Sequence, residues 1–201
     1  MMRVPIRSLG ADHRKPISRH LISLNSRDRY LRFGYSVNDI NIEKYVAKLD
    51  FDHHDTFGIF DRSLVLIAVA HLAYGIGDVC DTGAEFGVSV LPHARSRGYG
   101  ARLFEYAVTH ASNKNINIIF IHALSENEPM LRIAANAGAR VKRHGCESEA
   151  FLQLSAPTLK SRLPEFVEER VAQADYRIKV RTQRTSRFAA NQQAVTNSKR
   201  Q

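Results

Sequence analysis

Apolar residues return at helical spacing through the first part of the chain and at strand spacing through the middle. Ile17, Leu21, Leu24, Leu31 and Phe33 form the apolar side of residues 11–33, which read as one or two helical segments broken at Asn25-Ser26. Residues 4–7 ahead of them read as a short first strand. Ile42, Tyr45, Val46 and Leu49 repeat the helical spacing and predict a helix over 38–49. The period then changes: residues 56–60 and 64–74 are rich in strand formers and are joined by Asp61-Arg62-Ser63, a hairpin turn. A polar, glycine-bearing connection leads to another strand at 84–91.

After Pro92 comes a basic, glycine-containing loop, then a helix over about 100–112 with Leu103, Phe104, Ala107 and Val108 inward. Residues 116–121 are almost wholly apolar, the pattern of a strand buried on both faces. A shorter helix over 129–137 meets Gly138 as a C-cap, and residues 140–143 and 150–154 read as the last strands. Helices, antiparallel strands, then strand-loop-helix-strand-helix-strand make a mixed α/β (α+β) domain over residues 1–154. Pro157 and Pro164 mark its end. Beyond them, residues 155–201 form a basic extension in which Phe166, Val167, Val171, Ala174 and Ile178 predict an amphipathic helix over 164–181. That helix packs on its own domain or serves a dimer or partner contact, and residues 191–201 have the composition of a disordered tail.

At 201 residues, 44% hydrophobic and 24% charged, the chain can bury a real core without a disulfide or metal staple. Two cysteines, Cys80 and Cys146, are too few for a disulfide framework or a four-ligand zinc site and fit a reducing cytoplasm. No run approaches the roughly 18–20 apolar residues of a membrane span, and the N-terminus lacks the apolar core of a secretory signal. The formal charge of +9 raises an anionic partner. Its distribution qualifies that. Residues 1–29 carry seven basic and two acidic residues, 30–154 twelve and fourteen, and 155–201 ten and four. Basic ends on a slightly acidic body argue against a nucleic-acid-binding fold, leaving nucleic acid only as a partner for the tails.

One segment carries chemistry. From Glu85 to Gly100 a strand delivers the chain to a turn, glycines at alternate positions let the backbone fold tightly, and a helix begins at once. Free backbone N–H groups and the positive end of the helix dipole then converge on one spot, which suits phosphate. Arg95 and Arg97 add charge beside it, as a pyrophosphate would require. The segment is neither a P-loop nor a dinucleotide fingerprint, since no G-K-[ST] follows and the third glycine is missing. On the strand, Glu85, Gly87 and Ser89 share one face, while Phe86, Val88 and Val90 share an apolar one. A carboxylate beside Gly87 faces open space, the room a general base needs. A strand-to-helix turn with steric glycines and a surface glutamate is the plain alternative.

Arg95-x-x-Gly98-x-Gly100, entered by Val88-Ser89-Val90-Leu91-Pro92, resembles motif A of the GNAT superfamily of acetyltransferases. Asn127 and the helix to Gly138 resemble a second family segment, and the likeness covers about residues 30–154. It implies a mostly antiparallel central sheet flanked by helices and acetyl-CoA as cosubstrate, with no metal. The pyrophosphate would lie on the amides of Arg95, Ser96, Arg97, Gly98, Tyr99, Gly100 and Ala101, near Asn127, and the pantetheine arm would pair with Val88, Ser89 and Val90. A narrower likeness, in Asp28-Arg29-Tyr30-Leu31-Arg32-Phe33, Ala84-Glu85-Phe86 and residues 124–131, is to the GNAT module of bacterial protein lysine acetyltransferases. It implies Glu85 as general base and a primary amine, first a protein lysine and second a small amine or polyamine, as acceptor. The family's usual thiolate-protonating tyrosine is replaced by Ala134, which gives weight to a non-catalytic acetyl-CoA-binding module as the rival reading.

Other candidates are weaker. His53-His54-Asp55 reads as a solvated loop, because adjacent histidines project in different directions. Cys146 lies in a turn without a base partner, His71 reads as a satisfied histidine within a strand, and His122 falls near the expected cleft as an auxiliary base.

Overall fold

The computed structural model describes residues 5–75 and 83–155. After a two-residue strand β1 (Arg7–Ser8) and a 3₁₀ turn come three helices, α1 (Arg14–Ile22), α2 (Ser26–Phe33) and α3 (Asp39–Ala47). The hairpin β2 (Asp55–Phe60) and β3 (Leu66–Tyr74) precedes β4 (Gly83–Val90), α4 (Tyr99–Asn113) and β5 (Ile118–Leu124). The chain continues through α5 (Glu128–Asn136), β6 (Arg140–His144) and β7 (Glu147–Gln153). The sheet runs β1-β2-β3-β4-β5-β7-β6 and is antiparallel except between β4 and β5.

Asparagine starts three of the helices. Asn25, Asn38 and Asn127 each accept a main-chain N–H three residues on, from Asp28 (2.8 Å), Asn41 (2.9 Å) and Met130 (3.3 Å). Each satisfies one donor that the helix itself cannot. The hairpin turn is held in the same way: Asp61 accepts from the N–H groups of Ser63 and Val65.

The core lies on both faces of the sheet. On one, Phe57 and Phe86 meet Tyr106 and Phe104 of α4 edge-on, with ring centroids 4.9 Å apart in each pair. Strand alternation sends Ser89 to the opposite face, where it meets His20 of α1. Arg29 ties α1, α2 and α3 together through the carbonyls of Leu24 and Ile22 and the carboxylate of Asp39 (2.7 Å).

Several expectations shift. The first strand is displaced to Arg7–Ser8. β5 starts two residues later than expected and is fully buried on one face only: Ile119 and Ile121 are buried there, whereas on the other face His122 is exposed and only Leu124 at the strand's end is buried. Its apolar run conceals this because Ile118 and Phe120 also face outward in part. α2 contributes no buried residue; Leu31 and Phe33 line a cleft instead. The helix expected at 164–181, the tail and most of the glycine-bearing connection lie outside the described residues.

Candidate active site

β4 and β5 part company soon after they meet. They pair at Gly83 with Ile118, Ala84 with Ile119 and Glu85 with Phe120, and no further. Beyond this point residues 86–90 and 121–124 diverge, leaving main-chain groups of β4 on that side without a strand partner. The gap opens into a cleft of about 500 Å³. Its floor holds Glu85, Gly87 and His122, with Glu147 and Glu149 of β7 beyond, and its roof is the end of α2 with Tyr35 and with Tyr45 of α3.

Glu85 stands at the last paired position, its side chain 36% exposed and its Oε1 3.4 Å from Nδ1 of His122. His122 lies across from Glu149 in the β5–β7 ladder, with Nε2 3.7 Å from that carboxylate. The open space expected in front of Gly87 is filled. A Cβ there would lie 2.8 Å from the guanidinium of Arg32, which therefore rests on the glycine. Only a residue without a side chain lets the arginine settle against the strand at that position.

Beside this floor, on the same face of the sheet, lie two neutral histidines. His20 is pushed down to about 4 by burial, and the nearby charge of Arg32 lowers it further, against the hydrogen bond to Leu66. Its Nδ1–H donates to the Leu66 carbonyl (2.8 Å), so its Nε2 accepts from the Ser89 hydroxyl (2.8 Å). His71, opposite Gly87 in the β3–β4 ladder, is also pushed down to about 4, by burial and by the charges of Arg32 and His54. Its Nε2 is buried without a hydrogen-bond partner, so the satisfied histidine expected there is not found.

The loop after β4 has the expected form. A 3₁₀ turn at Pro92–Ala94 leads to Ser96 and Gly98 at φ +59° and +76°, and α4 starts at Tyr99. The helix's first internal bond is from Arg102 N–H to the Gly98 carbonyl (3.0 Å), which leaves the preceding amides facing outward. Gly100 is needed for close approach, since a Cβ would lie 3.1 Å from Cδ1 of Ile133. The two loop arginines differ. Arg97 is exposed, whereas Arg95 is held by Asp28 of α2 (2.6 Å) and donates from Nε to the Val90 carbonyl (3.1 Å).

A sequence model of the Acetyltransferase (GNAT) family matches residues 27–139. The chain belongs to the GNAT acetyltransferase family. No curated protein matches it in sequence. Among solved structures, the GNAT domain of S. lividans PAT superposes with a TM-score of 0.63 at 18% identity, over 74% of this chain and 89% of that one. A phosphinothricin acetyltransferase from Sinorhizobium meliloti, in complex with AcCoA, gives 0.62 at 13% identity over 79% and 95%. Spermidine N-acetyltransferase from Vibrio cholerae, in complex with CoA and spermine, gives 0.56 at 18% over 74% and 94%. At these identities the likeness is one of fold.

In this acetyltransferase α2 is strapped down on both sides. Besides Asp28–Arg95, Arg27 meets Glu126 (2.9 Å) and Asn127 Nδ2 donates to the Leu31 carbonyl (3.2 Å). Asn127 thus lines the cleft with its amide already engaged, by Leu31 on one side and Met130 on the other. Ala134 is fully buried in the core, and the tyrosines that do reach the cleft, Tyr35 and Tyr45, stand on its roof. The His53-His54-Asp55 run is not one solvated loop. His53 is exposed beside Asp50, but His54 accepts the Tyr74 N–H (3.1 Å), and Asp55 accepts from Tyr74, His110 and Lys114. Cys146 is exposed in the β6–β7 turn. Among the described residues no three His, Cys, Asp or Glu side chains are grouped to hold a metal ion, and no helix is long and apolar enough to cross a membrane. Two cleft features escaped the sequence: the position of Arg32 and the buried His20–Ser89 pair. A histidine among the apolar positions of α1 was the only available hint of the second.

Proposed function

We propose that the protein transfers the acetyl group of acetyl-CoA to a primary amine, with Glu85 as the general base. The observation that carries this reading is Glu85 at the fork where β4 and β5 separate, facing the cleft, on the strand that runs on into the motif A loop. The donor set fits the nucleotide end of acetyl-CoA: the amides of residues 96–101 and the exposed Arg97 would hold a pyrophosphate, and Arg95 would keep their loop in place through Asp28. The free edge of β4 at Val88, Ser89 and Val90 would pair with the pantetheine amides, as one strand pairs with another. Ser89 takes part through its main chain, because its hydroxyl is occupied by His20.

Glu85 takes a proton from the acceptor ammonium, directly or through one water, and the neutral amine attacks the thioester carbonyl. A main-chain N–H near Val90 steadies the oxygen as it gains charge. The new C–N bond replaces the C–S bond, and the surplus proton that the nitrogen gives up passes through water to the departing thiolate, so that CoA leaves as the thiol. His122, 3.4 Å from Glu85, would pass the captured proton toward Glu149 and solvent. Protein lysine and a small amine both meet these requirements; the first rests on the resemblance of residues 28–33 to protein lysine acetyltransferases.

Glu85→Gln tests the base. It keeps the size of the side chain and removes the carboxylate, so acetyl transfer should fall about 10²–10⁴-fold while acetyl-CoA still binds. Undiminished activity across the pH range would remove Glu85 from the mechanism. Mass spectrometry of products formed from labelled acetyl-CoA in cell extract would show the acceptor, and saturable binding without any product would instead favour a sensing module.

A further inference from the structure

We infer that the acceptor carries a carboxylate close to its amine, as an α-amino acid does, and that Arg32 binds it. This rests on the transferase reading above and narrows its acceptor.

Arg32 is half-buried at the end of α2, and it is an arginine lining the acceptor side of the cleft. Its guanidinium lies on Gly87 and touches the Phe33 ring face, with the carbon 5.4 Å from the ring centroid. Among the described residues no carboxylate or carbonyl accepts from it. Its near neighbours on the same face of the sheet, His20 and His71, are kept neutral, and its charge contributes to keeping them so. A partly desolvated cation that faces a cleft and has no acceptor costs free energy in the empty protein. A ligand carboxylate would recover it through two parallel N–H···O bonds, the pairing for which a planar guanidinium is shaped.

The spacing decides where the carboxylate sits relative to the amine. Gly87 and Glu85 are two residues apart on one strand face, so their Cα atoms are about 6.5–7 Å apart. The guanidinium resting on Gly87 and the Glu85 carboxylate therefore open into the same part of the cleft, and a ligand that meets both carries its carboxylate and its amine only a few atoms apart. The same positive charge opposes an isolated lysine ammonium at this spot. It also disfavours the ammonium form of a bound amine relative to the neutral nucleophile. Glu147 and Glu149, on the far side of His122, lie where the rest of the acceptor would extend.

The test measures CoA release by the full chain with each proteinogenic α-amino acid, with decarboxylated partners such as phenethylamine, isopentylamine and agmatine, and with a lysine peptide blocked at both ends. Amino acids should exceed their decarboxylated partners by about tenfold or more in kcat/KM, and the blocked peptide likewise. Arg32→Gln should collapse that ratio about ten- to a hundredfold, chiefly through the amino acid's KM, and Arg32→Lys should restore part of it because it keeps the charge without the fork. Acetyl-CoA affinity and thermal unfolding of both variants report whether the fold and the nucleotide site are intact. Equal or better turnover of the carboxylate-free acceptors overturns the inference and leaves the transferase reading standing, as does an equal loss for both classes in Arg32→Gln. Saturable acetyl-CoA binding with no acceptor of any class acetylated overturns both.

Discussion

Asp28 of α2 and Arg95 of the loop before α4 form an ion pair at 2.6 Å, across the mouth of the proposed acetyl-CoA site. The carboxylate side is nearly enclosed, with a side chain 11% exposed, while the arginine remains 45% exposed. Such a pair contributes about 1 kcal/mol, because solvent screens the exposed partner. Its placement gives it a larger kinetic meaning than that figure suggests. It connects the roof of the acceptor cleft to the phosphate loop, so loosening it should disturb both substrates. Asp28→Asn and Arg95→Gln should each raise the KM for acetyl-CoA several-fold. Their effects should be non-additive in a double-mutant cycle with a coupling of about 1 kcal/mol. Arg97→Gln should weaken acetyl-CoA in a salt-dependent manner without coupling to Asp28. A cycle in which Asp28 and Arg95 act independently would show that the pair does not position the loop.

Gly87→Ala gives a complementary result on the opposite side of the cleft. The added methyl would lie 2.8 Å from the Arg32 guanidinium, the mobile end of a long side chain rather than fixed backbone. β4 accepts alanine at an extended position, so thermal unfolding should move by only a few degrees. The displaced guanidinium should raise the acceptor's KM about tenfold and leave the KM for acetyl-CoA within about twofold, since the carboxylate partner moves while the phosphate loop does not. Steady-state kinetics with each substrate varied in turn separates these outcomes. A large loss of stability with unchanged acceptor KM would mean that Arg32 is needed for packing alone.

Much of this geometry was legible in local pattern. The strand-loop-helix at residues 85–112 and the hairpin at Asp61 depend on turn chemistry and period within a few residues, and both fold as the sequence suggests. Glu85 was legible because strand alternation places it with Gly87. The roof was not. Leu31 and Phe33 have the spacing of core residues, and only the tertiary position of α2 over diverging strands turns them toward a cleft. Arg32 on Gly87 and Asp28 on Arg95 join residues more than fifty positions apart, which no local period encodes. β5 misled for a related reason: its apolar residues look buried on both sides, yet a cleft floor can also be lined by apolar residues beside an exposed His122.

Asp55 anchors a second polar cluster, at the edge where β2 and β3 meet α4. Burial alone would raise its pKa, but hydrogen bonds from His110, Lys114 and Tyr74 outweigh that and hold the carboxyl well below the usual range. Asp55→Asn retains the shape and loses the charge that satisfies three donors, so it should destabilise the fold by about 2 kcal/mol in denaturant unfolding. Because the cluster is remote from the cleft, acetyl-CoA affinity of the folded variant should stay within about twofold of the parent. A depressed carboxylate stabilises above its unfolded pKa of about 3.9 and loses that contribution as pH falls below it. The parent should therefore lose stability below about pH 4 more steeply than Asp55→Asn, and parallel curves there would contradict the role assigned to the carboxylate.

The two histidines beside β4 act in a higher pH window. Each has an ordinary value near 6.5 in the unfolded chain. In the fold both are pushed down to about 4, His20 by burial and then by Arg32, and His71 by burial and then by Arg32 and His54. Above about pH 6.5 neither state binds the proton, and neither histidine makes stability depend on pH. Between about 6.5 and 4 the unfolded chain takes up protons that the folded one refuses, so stability falls as pH falls, by up to about 1.4 kcal/mol per pH unit for each histidine. Below about 4 the folded form also binds them and the contribution levels off. His71→Gln should flatten the profile between pH 6 and 4.5 without sacrificing a hydrogen bond at Nε2, which has none. His20→Gln should flatten it by a similar amount but also cost about 1–2 kcal/mol at pH 7, because the Leu66 carbonyl and the Ser89 hydroxyl lose their partner. Urea unfolding across pH 4.5–7.5 measures both effects, and an unchanged slope in either variant would show that the corresponding imidazole is protonated in the folded protein.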